Sequence, residues 1–359
     1  MIAWLVALVV VPPLLSWPGV SAEVSHRLSL TVCALGLVGT TITRPALRPL
    51  PRLWAAYAAA LAGVLTWHHR RILTDGLYFE HFRETALLTD GLLTLVVCVL
   101  ALWALRQLPV ATFRRWLPPL LGTWVLLNAW LAMTQRLGVV WPLPFVHPGQ
   151  ASGVLGIDRA LGALGVLVWP WTLLLASAGM QWLVLALAVC GAKGMTWLGL
   201  LLGTAWLRPR WACWLTPLAV VALIFFDKGP TAIKVADRLG TWRPLLAVSL
   251  VHPWVGWGVA PLTWPAMQRA AGMALPGPRS DWLAMALGLG WPLVLGAWFV
   301  LAQLAWQPHR TPQARALRAG VLASAGLGLG STVLTLPQLA GLWLLALAWW
   351  SRELDADPA

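Results

Sequence analysis

The residues best suited to chemistry lie in one segment, DRLGTWRPLLAVSLVHPWVGWG, at positions 237–258. An arginine can grip phosphate in a bidentate manner, an imidazole can transfer a proton near neutral pH, and indole rings offer large flat faces for packing. Cationic side chains in a very hydrophobic chain usually have a function. The segment is therefore the first candidate for a site, and it contains Arg238, Trp242, His252-Pro253 and Gly256-Trp257-Gly258.

The composition predicts the class of protein in which these residues must be positioned. Hydrophobic residues make up 59% and charged residues 10% of the chain, whereas soluble domains carry about 25% charged residues. Apolar runs of about 20 residues, each long enough to cross a hydrocarbon core of roughly 30 Å, recur along the chain. The runs are continuous and do not alternate, which favours helices over barrel strands. We expect an all-α, polytopic transmembrane helical bundle that forms a single integral membrane domain over residues 1–359.

The apolar runs predict about twelve membrane spans. The first run lacks a basic leader and a clear cleavage site, and we interpret it as a retained helix. The expected spans are 2–18, 28–43, 53–67, 86–105, 116–134, 160–176, 178–191, 195–207, 211–226, 282–304, 319–335 and 337–350.

The arginines predict the orientation, because short cytoplasmic loops are enriched in Lys and Arg. Four short loops carry arginines without acidic residues, and twelve spans would place all four on one side. We therefore expect a multi-pass protein of a bacterial inner membrane with both termini in the cytoplasm. The arginines concerned are Arg44, Arg48 and Arg52; Arg106, Arg114 and Arg115; Arg208 and Arg210; and Arg310, Arg315 and Arg318.

The partners suggested by charge and aromatic content are membrane lipids. The net charge is +13, but the cations are scattered between spans and form no basic domain, so we expect no nucleic-acid partner. Anionic headgroups explain most of the cations, and the 27 tryptophans fit the membrane interface. The four cysteines lie in predicted spans without metal-ligand spacing, and no histidine lies in the middle of a span. We expect no metal and no cofactor.

The long segment 227–281 is expected on the periplasmic side. Its middle is apolar, but Pro244, Pro253, Gly256 and Gly258 interrupt it. Helices in lipid tolerate one such break more readily than several. We expect amphipathic or re-entrant helices with an apolar face in the membrane interface.

The order of these features resembles the O-antigen ligase and polymerase superfamily of membrane glycosyltransferases. The segment AKGMTWLGLLLG at 192–203 is similar to a small-residue, basic-residue, glycine turn that leads into a Leu-rich helix. The Arg238, Trp242, Pro253 and Gly-Trp-Gly progression is similar to a second family pattern, and SDWLAMALGLGWPLVLG at 280–296 to a third. HPGQASGVLGIDRALG at 147–162 is similar to a family loop. The likeness covers roughly the C-terminal two thirds of the chain.

This resemblance implies transfer of a polyprenyl-pyrophosphate-linked glycan to a hydroxyl acceptor at the periplasmic face. Arg238 and Lys193, which stands where the family usually has Arg, would hold the pyrophosphate and stabilise its developing charge. The chain departs from the family where a histidine is expected, because Pro278, Arg279 and Ser280 occupy that place. His252 or Asp281 would then serve as the general base.

The expected site residues can be stated together. Catalytic roles fall to Arg238, His252 and Asp281, and substrate binding to Lys193, Arg279, Trp242 and Trp257. Each has a structural alternative: Arg238 could pair with Asp237 or lipid phosphate, and Asp281 could be the N-cap of the helix beginning at Trp282. Tryptophans of this segment could stack on sugars or lie in the interface.

Three other functions remain open at this point. A repeat-unit polymerase of the same superfamily would differ only in its acceptor. A non-catalytic protein that binds lipid-linked glycans is favoured by the missing histidine. A transporter would require paired ionisable residues deep in spans or broken helices in matching halves.

Overall fold

The computed structural model describes residues 51–74, 101–139, 158–190, 194–207, 231–258, 280–330 and 337–356, together with Gly39, Val99, Met267, Gln268 and Gly272. Within these residues, every regular element is a helix, as the composition predicts. In chain order they are α1 Arg52–Thr74, α2 Val110–Arg136, α3 Asp158–Leu175, α4 Ala178–Cys190, α5 Gly194–Leu207, α6 Thr231–Ser249, α7 Asp281–Leu289, α8 Trp291–Trp306, α9 Pro312–Gly330 and α10 Pro337–Ala356.

The chain divides into two compact units. Unit 1 comprises residues 1–47, 101–230 and 307–359, and among its described helices α9 packs against α3, α5 and α10, while α4 packs against α2 and α3. The helix α5 also packs against α3, and its glycines allow the two helices to approach closely. A Cβ atom on Gly199 would lie 2.8 Å from the Val166 side chain, and one on Gly203 would lie 2.9 Å from Pro170. Such close crossings are typical of helices packed in membranes.

Unit 2 comprises residues 48–100 and 231–306 and contains α1, α6, α7 and α8. The helix α7 packs against α8 and α6, and α1 packs against α8 and α7. Leu61 and Leu65 of α1 form one cluster with Leu289 and Leu293. All residues of the predicted site except Lys193 lie in the ranges of this unit.

The helix bounds agree with several predicted spans. The span expected at 116–134 lies inside α2, and those expected at 160–176, 178–191 and 195–207 match α3, α4 and α5 within two residues. The expected spans 2–18, 28–43 and 211–226 lie outside the described residues, apart from Gly39. One described helix, α2, is long and apolar enough to cross a membrane by length and composition. The count of twelve spans stays a prediction.

Two expectations need correction. The span expected at 282–304 is not one helix, because Gly290 separates α7 from α8 with φ +89°. The span expected at 53–67 ends too early, because helix α1 continues through residues 68–74. Both errors have the same cause, because the spans were predicted from hydrophobicity alone. Hydrophobicity does not show that one glycine adopts a left-handed conformation, nor that a helix continues through polar residues.

Candidate functional site

The structure brings part of the predicted site together within unit 2. Position 238 lies in α6 one helical turn before Trp242, while the side chain of Arg238 is outside the described residues. His252 and Trp257 lie in the turn of residues 250–258 that follows α6, and Asp281 is the first residue of α7. Lys193 and Arg279 lie outside the described residues. Their predicted roles therefore stay predictions.

The turn 250–258 is joined to the α7–α8 break by backbone hydrogen bonds. The amides of Trp257 and Gly258 donate to the carbonyls of Leu287 and Gly288 at 2.7 and 3.0 Å, and the amide of Trp291 donates to the carbonyl of Pro253 at 2.8 Å. This gives backbone partners to groups that the end of α7 would otherwise leave unsatisfied. Two irregular segments therefore hold each other in place.

Glycine makes this backbone contact possible. Gly256 has φ +69°, and a Cβ atom there would lie 2.6 Å from the carbonyl carbon of Gly288. Gly290 has φ +89°, and its Cβ would lie 2.5 Å from the carbonyl oxygen of Trp254. Residues with a Cβ are disfavoured in this conformation, and these positions also lack the space. The Gly-aromatic-Gly pattern identified in the sequence thus has a structural reason.

The aromatic side chains of the turn are fixed by specific contacts. The indole of Trp257 donates from Nε1 to the carbonyl of Val248 at 2.9 Å, and the imidazole of His252 lies edge-on to it with centroids 4.4 Å apart. The indole of Trp291 donates to Ser249 Oγ at 3.1 Å. Because the Nε1 of Trp257 is used within the fold, this residue first supports the turn, and any sugar contact must use the remaining ring surface.

A hydrophobic cluster underlies the same site. Trp242, Trp257 and Trp291 pack against buried side chains from α6, Met267 and α7. These side chains are Leu245, Val248, Met267, Leu283 and Leu287. The helix that carries position 238, the turn with His252 and the helix that begins at Asp281 are therefore held on one core.

Asp281 is not the N-cap of α7, which was the structural role considered for it. Ser280 is the N-cap, and its Oγ accepts a hydrogen bond from the amide of Leu283 at 3.2 Å. Asp281 occupies the first helical turn and is only 5% exposed. A carboxylate is favoured there by the helix dipole. The interpretation of Asp281 as the N-cap was wrong, and its burial limits how it could reach an acceptor hydroxyl.

His68 is a residue of this site that the sequence reasoning did not select. It lies on α1, is 3% exposed, and its Nε2–H donates to the carbonyl of Val255 at 2.6 Å. A signal was present, because Leu61, Leu65 and His68 have the i, i+4, i+7 spacing of one helix face. The predicted span 53–67 ends one residue before His68, so this spacing was not recognised.

Unit 1 contains a cluster of charged and polar side chains near the start of α2 and the end of α10. The carboxylate of Glu353 is almost fully buried and accepts two hydrogen bonds from the guanidinium of Arg114, at 2.9 and 2.5 Å. Trp349 Nε1 also donates to it at 2.8 Å. The Asp355 carboxylate accepts from Arg106 at 2.9 Å and from Arg352 at 3.1 Å. Glu353, Arg106 and Arg352 are buried, and charged groups so buried must be paired to be tolerated; their partners Arg114 and Asp355 are partly exposed.

His309 belongs to the same cluster of charged and polar side chains. Trp350 Nε1 donates to His309 Nε2 at 2.8 Å, which requires a lone pair on Nε2 and places the hydrogen of the neutral ring on Nδ1. Burial, and secondarily the Arg318 guanidinium 3.4 Å from Nδ1, lower the pKa of His309 to about 4. Residues of two arginine-bearing segments and the C-terminal helix therefore meet in this part of unit 1. The predicted orientation stays a prediction.

The geometry offers positioning and proton transfer. Within the described residues no group of three or more His, Cys, Asp or Glu side chains is arranged to hold a metal ion. The described part of the site contains the half-buried imidazole of His252, the buried imidazole of His68, one buried carboxylate and three packed indoles. Comparisons with protein-family models, with curated proteins and with solved structures find no match.

Proposed function

We propose that this chain is a multi-pass protein of a bacterial inner membrane that transfers a polyprenyl-pyrophosphate-linked glycan to a hydroxyl acceptor at the periplasmic face, in the manner of an O-antigen ligase. One observation carries the proposal. The helix with position 238, the turn with His252 and the start of α7 at Asp281 pack on a single hydrophobic cluster. Two of the segments that resemble the superfamily, 238–258 and 280–296, thus lie in unit 2, whereas 147–162 and 192–203 lie in unit 1.

The membrane part of the proposal is supported by apolar surface on the described helices. Trp182 of α4 is 71% exposed and Phe299 of α8 is 62% exposed. On α2, Leu126, Trp130 and Met133 form an exposed stripe with i, i+4, i+7 spacing. Water does not favour such large apolar faces, whereas lipid does. Both termini would lie in the cytoplasm.

Each site residue has one role in the proposed glycosyl transfer. The acceptor hydroxyl loses its proton to His252 or Asp281, its oxygen forms a bond to the anomeric carbon, and the bond from that carbon to the pyrophosphate oxygen breaks. The polyprenyl pyrophosphate leaves with the bonding electron pair. Arg238, with Lys193 and Arg279, would stabilise the charge that develops on it. Trp242 and Trp257 would support the site beneath the glycan.

The experiment is transfer by purified protein from a polyprenyl-pyrophosphate glycan to hydroxyl acceptors. Arg238→Ala should lower kcat by about 10²–10³-fold, as expected for the loss of one group that stabilises developing charge. Arg243→Ala is the matched control, because Arg243 is an exposed arginine on the same helix. Full activity of Arg238→Ala would refute the assigned role. Elongation of the donor glycan by wild type, in place of transfer to a separate acceptor, would identify a repeat-unit polymerase.

A non-catalytic protein that binds or transports lipid-linked glycans is the second candidate. It is favoured by the burial of Asp281 and by the absence of histidine at 278–280. Tight donor binding by wild type without transfer to any acceptor would support this candidate.

A further inference from the structure

We propose that His68 is a positioning residue, which holds the turn of residues 250–258 so that the imidazole of His252 keeps its place against Trp257. The inference rests on the proposed function only for the catalytic consequence. The contact on which it depends is the hydrogen bond from His68 Nε2 to the carbonyl of Val255, which joins residues 187 positions apart in sequence.

The hydrogen bond determines the state of the ring. A carbonyl oxygen can only accept, so Nε2 must carry the hydrogen. In the neutral imidazole, Nδ1 is then the nitrogen with the lone pair. A buried polar group needs a hydrogen-bond partner, and the short bond of 2.6 Å to a backbone carbonyl gives His68 such a partner on the apolar face of α1.

The bonded carbonyl lies at the centre of the turn that carries His252. Val255 precedes Gly256, whose amide donates to the carbonyl of His252 at 2.9 Å. Trp257 follows, and its ring meets the imidazole of His252 edge-on. A shift of the Val255 peptide would therefore move both the backbone and the ring that locate His252.

Among the described residues, His68 also joins the turn to a helix that the backbone hydrogen bonds given above do not reach. The amides of Trp257, Gly258 and Trp291 join the turn to α7 and α8, whereas His68 joins it to α1. The turn is then supported from two directions. A general base must lie within hydrogen-bond reach of its proton, so small displacements matter.

The test compares His68→Leu with His68→Gln. Leucine fills much of the space without a donor, whereas the side-chain amide of glutamine can place a donor near the original Nε2. Trp67→Leu is the matched control, because Trp67 is the preceding residue of the same helix and is 54% exposed. Amide hydrogen exchange of the peptides containing Trp257, Gly258 and Trp291 reports the turn. The rate at which diethyl pyrocarbonate modifies His252, followed by mass spectrometry, reports its position.

We expect His68→Leu to speed exchange of these amides by about tenfold, which corresponds to the loss of one hydrogen bond, and to change the rate of modification of His252. His68→Gln should restore both values, and Trp67→Leu should change neither. Where wild type transfers glycan, His68→Leu should lower kcat and leave donor binding unchanged.

Unchanged exchange or unchanged His252 modification in His68→Leu would overturn the proposal. A loosened turn with an unaltered kcat would refute its catalytic consequence, because His252 would then not be the general base. Failure of wild type to transfer glycan would instead refute the proposed function. The exchange and modification measurements would still decide the role of His68, because neither depends on activity.

Discussion

Substitution of Gly256 by alanine is the sharpest test of the contact between the turn and the α7–α8 break. The added Cβ would lie 2.6 Å from the carbonyl carbon and 2.7 Å from the carbonyl oxygen of Gly288. Both atoms belong to backbone, so no flexible side chain can move aside. The left-handed conformation costs about 1–2 kcal/mol for a residue with a Cβ.

Separation of the two backbones would also weaken neighbouring hydrogen bonds. The two most directly affected are those from the amides of Trp257 and Gly258, each worth about 0.5–1.5 kcal/mol. The free energy of opening the turn should therefore fall by about 2–5 kcal/mol. At roughly 1.4 kcal/mol for each tenfold, exchange of these amides should accelerate by about 30-fold to a few thousand-fold.

Peptide-level amide hydrogen exchange in detergent measures this change, and two controls separate its causes. Gly272 also has a positive φ of +65°, but a Cβ atom there meets nothing within 4 Å. Gly240 has no neighbour within 4 Å and lies in α6, where alanine is the better helix former. Neither Gly272→Ala nor Gly240→Ala should accelerate exchange at Trp257 and Gly258. Equal exchange in all three variants would refute the backbone contact.

Two further predictions concern unit 1. Glu353→Ala should destabilise the fold by about 1.5–3 kcal/mol, the usual value of hydrogen bonds to a charged group, because water can solvate the Arg114 side chain, which is 45% exposed. Glu353→Ala with Arg114→Ala should cost less than the sum of the single variants, because each removes the same bidentate pair. Additive unfolding free energies in a double-mutant cycle would contradict this pairing. The pKa of His309 is lowered from 6.5 to about 4, so only the unfolded state takes up a proton between these values and stability should fall as pH decreases from 6.5 toward 4. His309→Gln should flatten this part of the profile of thermal unfolding midpoint against pH, and a variant with the wild-type slope would show that another group titrates.

The helices themselves were largely predictable from apolar patterns. The bounds of α3, α4 and α5 follow the runs read from the sequence, because a continuous apolar stretch of this length favours helix. The patterns failed where one residue decides the backbone. Gly290 ends α7, and Pro292 follows it two residues later. This glycine and proline mark a helix boundary, but the apolar run continues through them and predicts a single span.

The site was predictable in part. Arg238, Trp242, His252, Trp257 and Asp281 share one unit, and their order along the chain was the only clue. Ser280 as the N-cap follows from ordinary capping preference once the helix start is known within one residue. The apolar pattern places the start of a helix less precisely than one residue.

The sequence by itself determined the helical class, several helix bounds and a glycine-rich turn, because these depend on local hydrophobicity and on the conformational range of single residues. Only the tertiary structure decided that the turn lies against Gly288 and Gly290, that His68 reaches Val255 and that Glu353 is buried beside Arg114. Such contacts join residues far apart in sequence, and their partners are selected by the packing of whole helices. No local pattern of residue types contains that information.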